Sequence, residues 1–159
     1  TTKLAALNSE LLELARTDLV TNTQQTEANL AETVKKVTKS IEPRIGKKKL
    51  IQNISVDGEI KINIVDWEKI LGILLDNAIK YSDKKITLTV VGRELVVKND
   101  GKEIKERDLP HIFERFYQAD KSAEGVGLGL AIAKALADRN GWNLSASCKN
   151  NMTEFTLKY

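Results

Sequence analysis

The sequence predicts an α+β fold: a two-layer α/β sandwich in which a mixed, mostly antiparallel sheet is covered by helices on one face and preceded by one or two further helices. Three observations carry this. Strand-like stretches come in adjacent pairs, which favours antiparallel neighbours over a doubly wound sheet. The two segments that separate the pairs, residues 66–81 and 128–140, are too long for strands and place apolar residues at helical spacing. The chain has 159 residues, 42% of them hydrophobic, which is enough to close one buried core.

Taken in order, residues 3–16 read as an amphipathic helix, with Leu4, Leu7, Leu11, Leu14 and Ala15 on one stripe that needs a partner. Residues 17–26 lack such a stripe and read as a connector. A second helix spans residues 28–41 and is ended by Pro43 and Gly46. Residues 50–55 and 59–63 follow as strands, with Asp57-Gly58 placed as a hairpin turn between them. The buried helix over 66–81 comes next. Residues 85–91 and 94–99 form a second strand pair about Gly92-Arg93. A glycine-rich segment leads into the helix at 128–140, which Gly141 closes, and residues 142–148 and 153–158 end the sheet.

Composition narrows the function. Net charge is only +3, with 25 basic and 22 acidic residues interspersed, so no basic surface for nucleic acid is expected. No apolar run approaches the roughly 20 residues of a membrane-spanning helix. One cysteine, Cys148, and one histidine, His111, exclude an internal disulfide, a Cys- or His-rich metal cage and a Ser-His-Asp or Cys-His pair. The opening in mid-helix without Met suggests a fragment of a longer chain.

Four segments could carry chemistry. Gly125-Val126-Gly127-Leu128-Gly129-Leu130 strips side chains from a backbone that runs into a helix, the arrangement of an anion cradle; such junctions also serve packing. It is neither a Walker loop nor a dinucleotide fingerprint. On the buried helix, positions 73, 77, 80 and 81 share a face, so Asn77, Lys80 and Tyr81 emerge together beside Ile73 and could hold a metal-bound triphosphate, or could cap, snorkel and fill core. Asn99-Asp100-Gly101-Lys102-Glu103-Ile104, at a strand end, is either an ordinary turn or a reader of a base edge. Ile112-Phe113-Glu114-Arg115-Phe116-Tyr117 sets three aromatics where they either fill core or anchor a lid.

In this order and at these separations, the four segments resemble the ATP-binding catalytic domain of bacterial sensor histidine kinases, the Bergerat fold shared with gyrase, Hsp90 and MutL. Leu74 to Ser82 looks like the N box, Asn99 to Ile104 the first glycine box, Ile112 to Tyr117 the F box and Gly125 to Leu130 the second glycine box, over roughly residues 48–158. The resemblance implies that ATP and Mg²⁺ are the cofactors, with Asn77 the metal ligand, Lys80 on a phosphate and Tyr81 against the adenine. It also implies nucleotide contacts from Asn99, Asp100, Gly101, Ile104, Phe113 and Phe116, and a lid formed by Arg115 and residues 118–124. Gly125, Val126, Gly127, Leu128, Gly129 and Leu130 would let that lid close over the triphosphate. The reaction implied is γ-phosphoryl transfer to a histidine of a phosphotransfer domain and on to a response-regulator aspartate.

By the same resemblance residues 1–26 are the end of the second dimerisation and phosphotransfer helix with its connector, and residues 27–159 the catalytic domain. The implied partners are the phosphotransfer bundle of the same kinase, within a homodimeric parent, and the cognate response regulator. The domain would be cytoplasmic and its parent membrane-anchored. Two departures stand out. Ile73 lies where these kinases usually carry an Asn and the gyrase-type ATPases a catalytic Glu, and Asn99 lies where the first glycine box usually has the adenine-binding Asp. The acceptor histidine is absent, His111 being a loop residue with no role, so the fragment is expected to bind ATP without autophosphorylating. A degenerate, non-catalytic nucleotide-binding or docking module of the same fold is the alternative. An ATPase clamp is disfavoured by Ile73, and a serine-directed anti-sigma kinase by the upstream helices.

Overall fold

The structure is a computed structural model that describes residues 2–19, 24–120, 125 and 127–159. Helix α1 (Thr2–Leu19) is followed by strand β1 (Thr26–Ala28), helix α2 (Leu30–Ile45), β2 (Lys49–Ser55), β3 (Ile60–Ile62), α3 (Ile64–Tyr81), β4 (Lys85–Val91) and β5 (Glu94–Asp100). A 3₁₀ turn at Leu109–His111 precedes α4 (Gly129–Arg139), β6 (Asn143–Lys149) and β7 (Met152–Lys158).

The main sheet has the order β2-β4-β5-β7-β6, with β2 parallel to β4 and the other three pairings antiparallel. Its inward face alternates with period two: Ile86, Leu88 and Val90 on β4, Leu95 and Val97 on β5, Phe155 and Leu157 on β7 are all buried. Against them pack Trp67, Ile70, Leu71, Leu74 and Leu75 of α3 and Ile132, Ala133, Leu136 and Ala137 of α4. This is the two-layer, mostly antiparallel architecture expected from the sequence.

The expected hairpin at Asp57-Gly58 is not formed. β2 runs parallel to β4, while β3 pairs antiparallel with β1, so residues 50–55 and 59–63 belong to different sheets. A Gly at φ +68° turns the chain there, but a turn alone does not decide which strand supplies the ladder. Thr26, the last residue of the expected connector, and Ala28, the expected start of the second helix, are therefore strand, and α2 starts at Leu30 behind an Asn29 cap that accepts from the Glu32 amide at 3.1 Å. Pro43 lies inside the last turn of α2 instead of ending it; Ile41 and Ile45 are buried there and hold that turn on the core.

The main helices are locked end to end. Asn63 caps α3, accepting from the Asp66 amide at 3.3 Å and donating to the Asp66 carboxylate at 2.9 Å. That carboxylate, almost fully buried, also accepts from Arg139 Nε (2.7 Å) and Nη2 (2.6 Å) and from Asn140 Nδ2 (2.6 Å), at the far end of α4. Ile73, two turns further along α3, meets the first residue of α4: a Cβ on Gly129 would stand 3.6 Å from Ile73 Cγ2. The two contacts set the helices antiparallel. Because α3 has 18 residues and α4 only 11, the last turns of α3 project past the start of α4.

Helix α1 packs on α4, with Leu14 buried and Leu7 against the core, and Glu13 pairs with Lys69 of α3 at 2.7 Å. Leu4 and Leu11 of the same stripe, and Leu12 beside it, are exposed. Among the described residues no helix is long and apolar enough to cross a membrane.

Removing one partner of a buried, multiply bonded ion pair leaves an uncompensated charge and costs about 3 kcal/mol. Asp66→Ala is therefore expected to lower the melting temperature in calorimetry by roughly 6–12 °C for a domain of this size.

Candidate functional site

Where α3 overshoots α4, a cavity of about 500 Å³ opens between the two helices, the sheet and the segment 104–120. Its sheet side carries Asn99 of β5 and Thr153 of β7, which face one another across the ladder. The α3 wall presents Lys69, Ile73, Asn77 and Lys80 at steps of four, four and three residues, hence on one face, and Tyr81 joins them at the helix end. The opposite wall is the glycine loop and the first turn of α4.

That first turn has no side-chain cap. Leu128 occupies the capping position, and the first intrahelical bond runs from the Ile132 amide to the Leu128 carbonyl at 2.9 Å, so the preceding amides lack helical partners. They lie with the positive end of the helix dipole at the cavity, as do Gly125, Gly127, Leu128, Gly129 and Leu130. The loop and α3 approach closely: a Cβ on Gly125 would stand 3.1 Å from Lys80 Nζ, and Gly125 has φ +108°. Lys80 Nζ in turn lies 5.2 Å from the centroid of the Tyr81 ring. The cavity thus brings an ammonium, an amide and backbone N–H groups that lack helical partners together, the donor set of a polyanion site.

The loop is closed at its base by two rungs. The Phe116 amide donates to Gly127 O at 2.9 Å, and Gln118 Nε2 donates to Gly125 O at 2.8 Å. A side chain at Gly127 has no room, since its Cβ would lie 2.7 Å from Tyr117 O and 2.8 Å from Phe116 C. Burial, and then the Asp120 carboxylate, raise the Tyr81 phenol above its ordinary range, which places the segment after Tyr117 near that ring.

The other expected site residues divide. Ile104 lines the cavity with Asn99, whose Nδ2 donates to the Asp100 carbonyl at 2.8 Å, leaving Oδ1 as the acceptor. Asp100 does not line it. Its carboxylate accepts from the amides of Asp83 (3.1 Å), Lys84 (3.0 Å) and Lys85 (2.9 Å), and it borders a separate, open depression with Gly101. Gly101 itself touches the end of α3: with φ +124°, a Cβ there would stand 2.3 Å from Tyr81 O. The pair pins the end of β5 to the end of α3 and so positions Lys80 and Tyr81 without facing the cavity.

Phe113 packs into the core, edge-on to Phe155 at 6.2 Å between ring centroids. Arg115 and Phe116 lie outside the cavity lining, and Phe116 is exposed at φ +64°. Val126 and lid residues 121–124 fall outside the described residues. His111 contacts Glu114 at 2.7 Å and stacks beside Tyr117.

Sequence reasoning missed Lys69, Thr153, Glu10 and Glu13 on the lining. Helical spacing from Asn77 could have found Lys69; nothing local marks the other three. Among the described residues no group of three or more His, Cys, Asp or Glu could hold a metal ion.

Comparison with known proteins gives a consistent picture. Residues 62–159 match the family described as histidine kinase-, DNA gyrase B- and HSP90-like ATPase. The sensor histidine kinase YkoH of Bacillus subtilis is 42% identical over 118 residues, covering 67% of this chain and 26% of that protein. The sensor protein VanSC of Enterococcus gallinarum is 32% identical over 169 residues, covering 98% and 46% respectively. Among solved structures, the Acinetobacter baumannii histidine kinase AdeS superposes with a TM-score of 0.77 at 25% identity, over 98% of this chain and 77% of that one. The chain thus spans between a quarter and a half of the length of these two curated relatives.

The Asp100 carboxyl lies below its ordinary range: burial pushes it up, but the amides of Lys84, Lys85 and Asp83 together outweigh that. A depressed carboxyl contributes stability above its unfolded pKa and loses it as pH falls through the folded value. Asp100→Asn is accordingly expected to cost about 1 kcal/mol at neutral pH. In urea titrations its deficit against the parent chain should begin to shrink as the pH is taken below about 4 and vanish once the pH is below the depressed folded value.

Proposed function

The chain belongs to the histidine kinase-, DNA gyrase B- and HSP90-like ATPase family, and from that membership we propose that it is the nucleotide-binding part of a two-component sensor histidine kinase. It binds ATP with Mg²⁺ between α3 and the glycine loop. The observation that carries this is the convergence of Asn77, Lys80 and the uncapped start of α4 on one cavity whose sheet side bears Asn99.

Each residue then has a role set by its chemistry. Lys80, held beside Gly125, supplies a point charge to a phosphate, and the first-turn amides of α4, which have no helical partners, supply directional donors. The Asn77 amide oxygen is the protein's ligand for Mg²⁺, which when bound neutralises phosphate charge. Asn99 Oδ1 accepts from the exocyclic amino group of adenine, and Tyr81 covers the base. A neutral acceptor there gives a weaker bond than a carboxylate, roughly 0.5–1.5 against 1.5–3 kcal/mol. Catalysis in such a site is positioning and charge neutralisation, with the phosphoryl acceptor a histidine on a phosphotransfer helix and the onward partner a response regulator.

A docking module without nucleotide chemistry is the second reading, and Ile73 is the observation that favours it. An apolar side chain occupies the α3 face one turn before Asn77, in contact range of Gly129, where it offers a metal nothing.

Calorimetric titration with a non-hydrolysable ATP analogue separates the two. Binding strengthened by Mg²⁺, and weakened about 10- to 100-fold by Asn77→Ala, is expected for loss of a charge-assisted contact. Absence of binding at millimolar analogue would establish the docking module instead.

A further inference from the structure

Helix α1 lies along the open side of the cavity. Leu14 anchors it in the core, and Glu10 and Glu13, one turn apart and on one face, line the same space as Lys69, Asn77 and Lys80. Glu13 Oε1 is 2.7 Å from Lys69 Nζ, and the Glu10 carboxylate lies within the fields of both Lys80 and Lys69. Two acids thus confront the two lysines of the α3 face. Partial burial, then the neighbouring Glu13, raise the Glu10 carboxyl above its ordinary range against the pull of Lys80 and Lys69, as expected for an acid crowded into a restricted space.

We propose that α1 is a built-in competitor of the nucleotide: Glu10 and Glu13 supply the negative charge that Lys80 and Lys69 would otherwise give to a polyphosphate, which must displace or repel them to bind. The inference rests on the nucleotide reading of the cavity and adds to it a second phosphate-facing cation, Lys69, and an acidic helix that tunes affinity. The antagonism is reciprocal, since a ligand that weakens α1 docking is itself weakened by α1 to the same degree. The effect is electrostatic, so it falls on phosphates and spares the nucleoside.

The test uses the whole chain and its Glu10→Gln/Glu13→Gln form, each titrated calorimetrically at fixed Mg²⁺ with a non-hydrolysable ATP analogue and, separately, with adenosine. Loss of the partly exposed Glu13–Lys69 ion pair and of the nearby Glu10 charge is expected to tighten the triphosphate about three- to tenfold and leave adenosine unchanged. In the parent chain, the triphosphate but not adenosine should accelerate amide hydrogen exchange along α1. Unchanged or weakened triphosphate binding in the Gln form, or equal tightening of both ligands, overturns the proposal while leaving the nucleotide reading intact. Failure of both forms to bind either ligand overturns the nucleotide reading, and this inference with it.

Discussion

The structure turns on the carboxylate of Asp66. Buried at the first turn of α3, it gathers Arg139 and Asn140 from the last turn of α4 together with the Asn63 cap. A charge in that position is tolerable only when its lone pairs are filled, and four donors fill them. The consequence is geometric. With one end of the helix pair fixed and Ile73 against Gly129 further along, the extra turns of α3 have no helix opposite them, and the cavity is the space they leave. Asn77, Lys80 and Tyr81 lie on those extra turns, and the uncapped start of α4 faces them.

A second constraint fixes the same turns to the sheet. The Asp100 carboxylate holds the amides that follow α3, and Gly101 lets the end of β5 touch the Tyr81 carbonyl where any side chain would collide. The helix end is thereby stapled to the strand that carries Asn99, so the residues proposed for phosphate and for base sit on one rigid body. On the opposite wall, among the described residues, hydrogen bonds at 116–127 and 118–125 hold the base of the glycine loop.

Much of this was legible in the sequence because the informative residues are local. Spacing put Asn77 and Lys80 on one helix face, and glycines at every second position before an apolar helix announced the loop. What was not legible depends on pairing over distance. Asp57-Gly58 signals a turn, yet the ladder partner of β2 is β4, which lies beyond α3 in the chain. Adjacent polar residues at a strand end are indistinguishable by type; the pleat turns Asn99 inward and Asp100 outward, which separates a cavity residue from a structural one. Phe113 and Phe116 read alike as aromatics, but one fills core and the other is exposed. Glu10 and Glu13 carry no motif at all, because their position follows from where α1 docks.

The decisive measurement is a crystal structure of the chain grown with Mg²⁺ and a non-hydrolysable ATP analogue. The account predicts the base against Tyr81, Asn99 and Ile104, and the phosphates between Lys80 and the first turn of α4, with Asn77 on the metal. An analogue bound elsewhere, or lying in the cavity with its phosphates away from Lys80 and the start of α4, would contradict it.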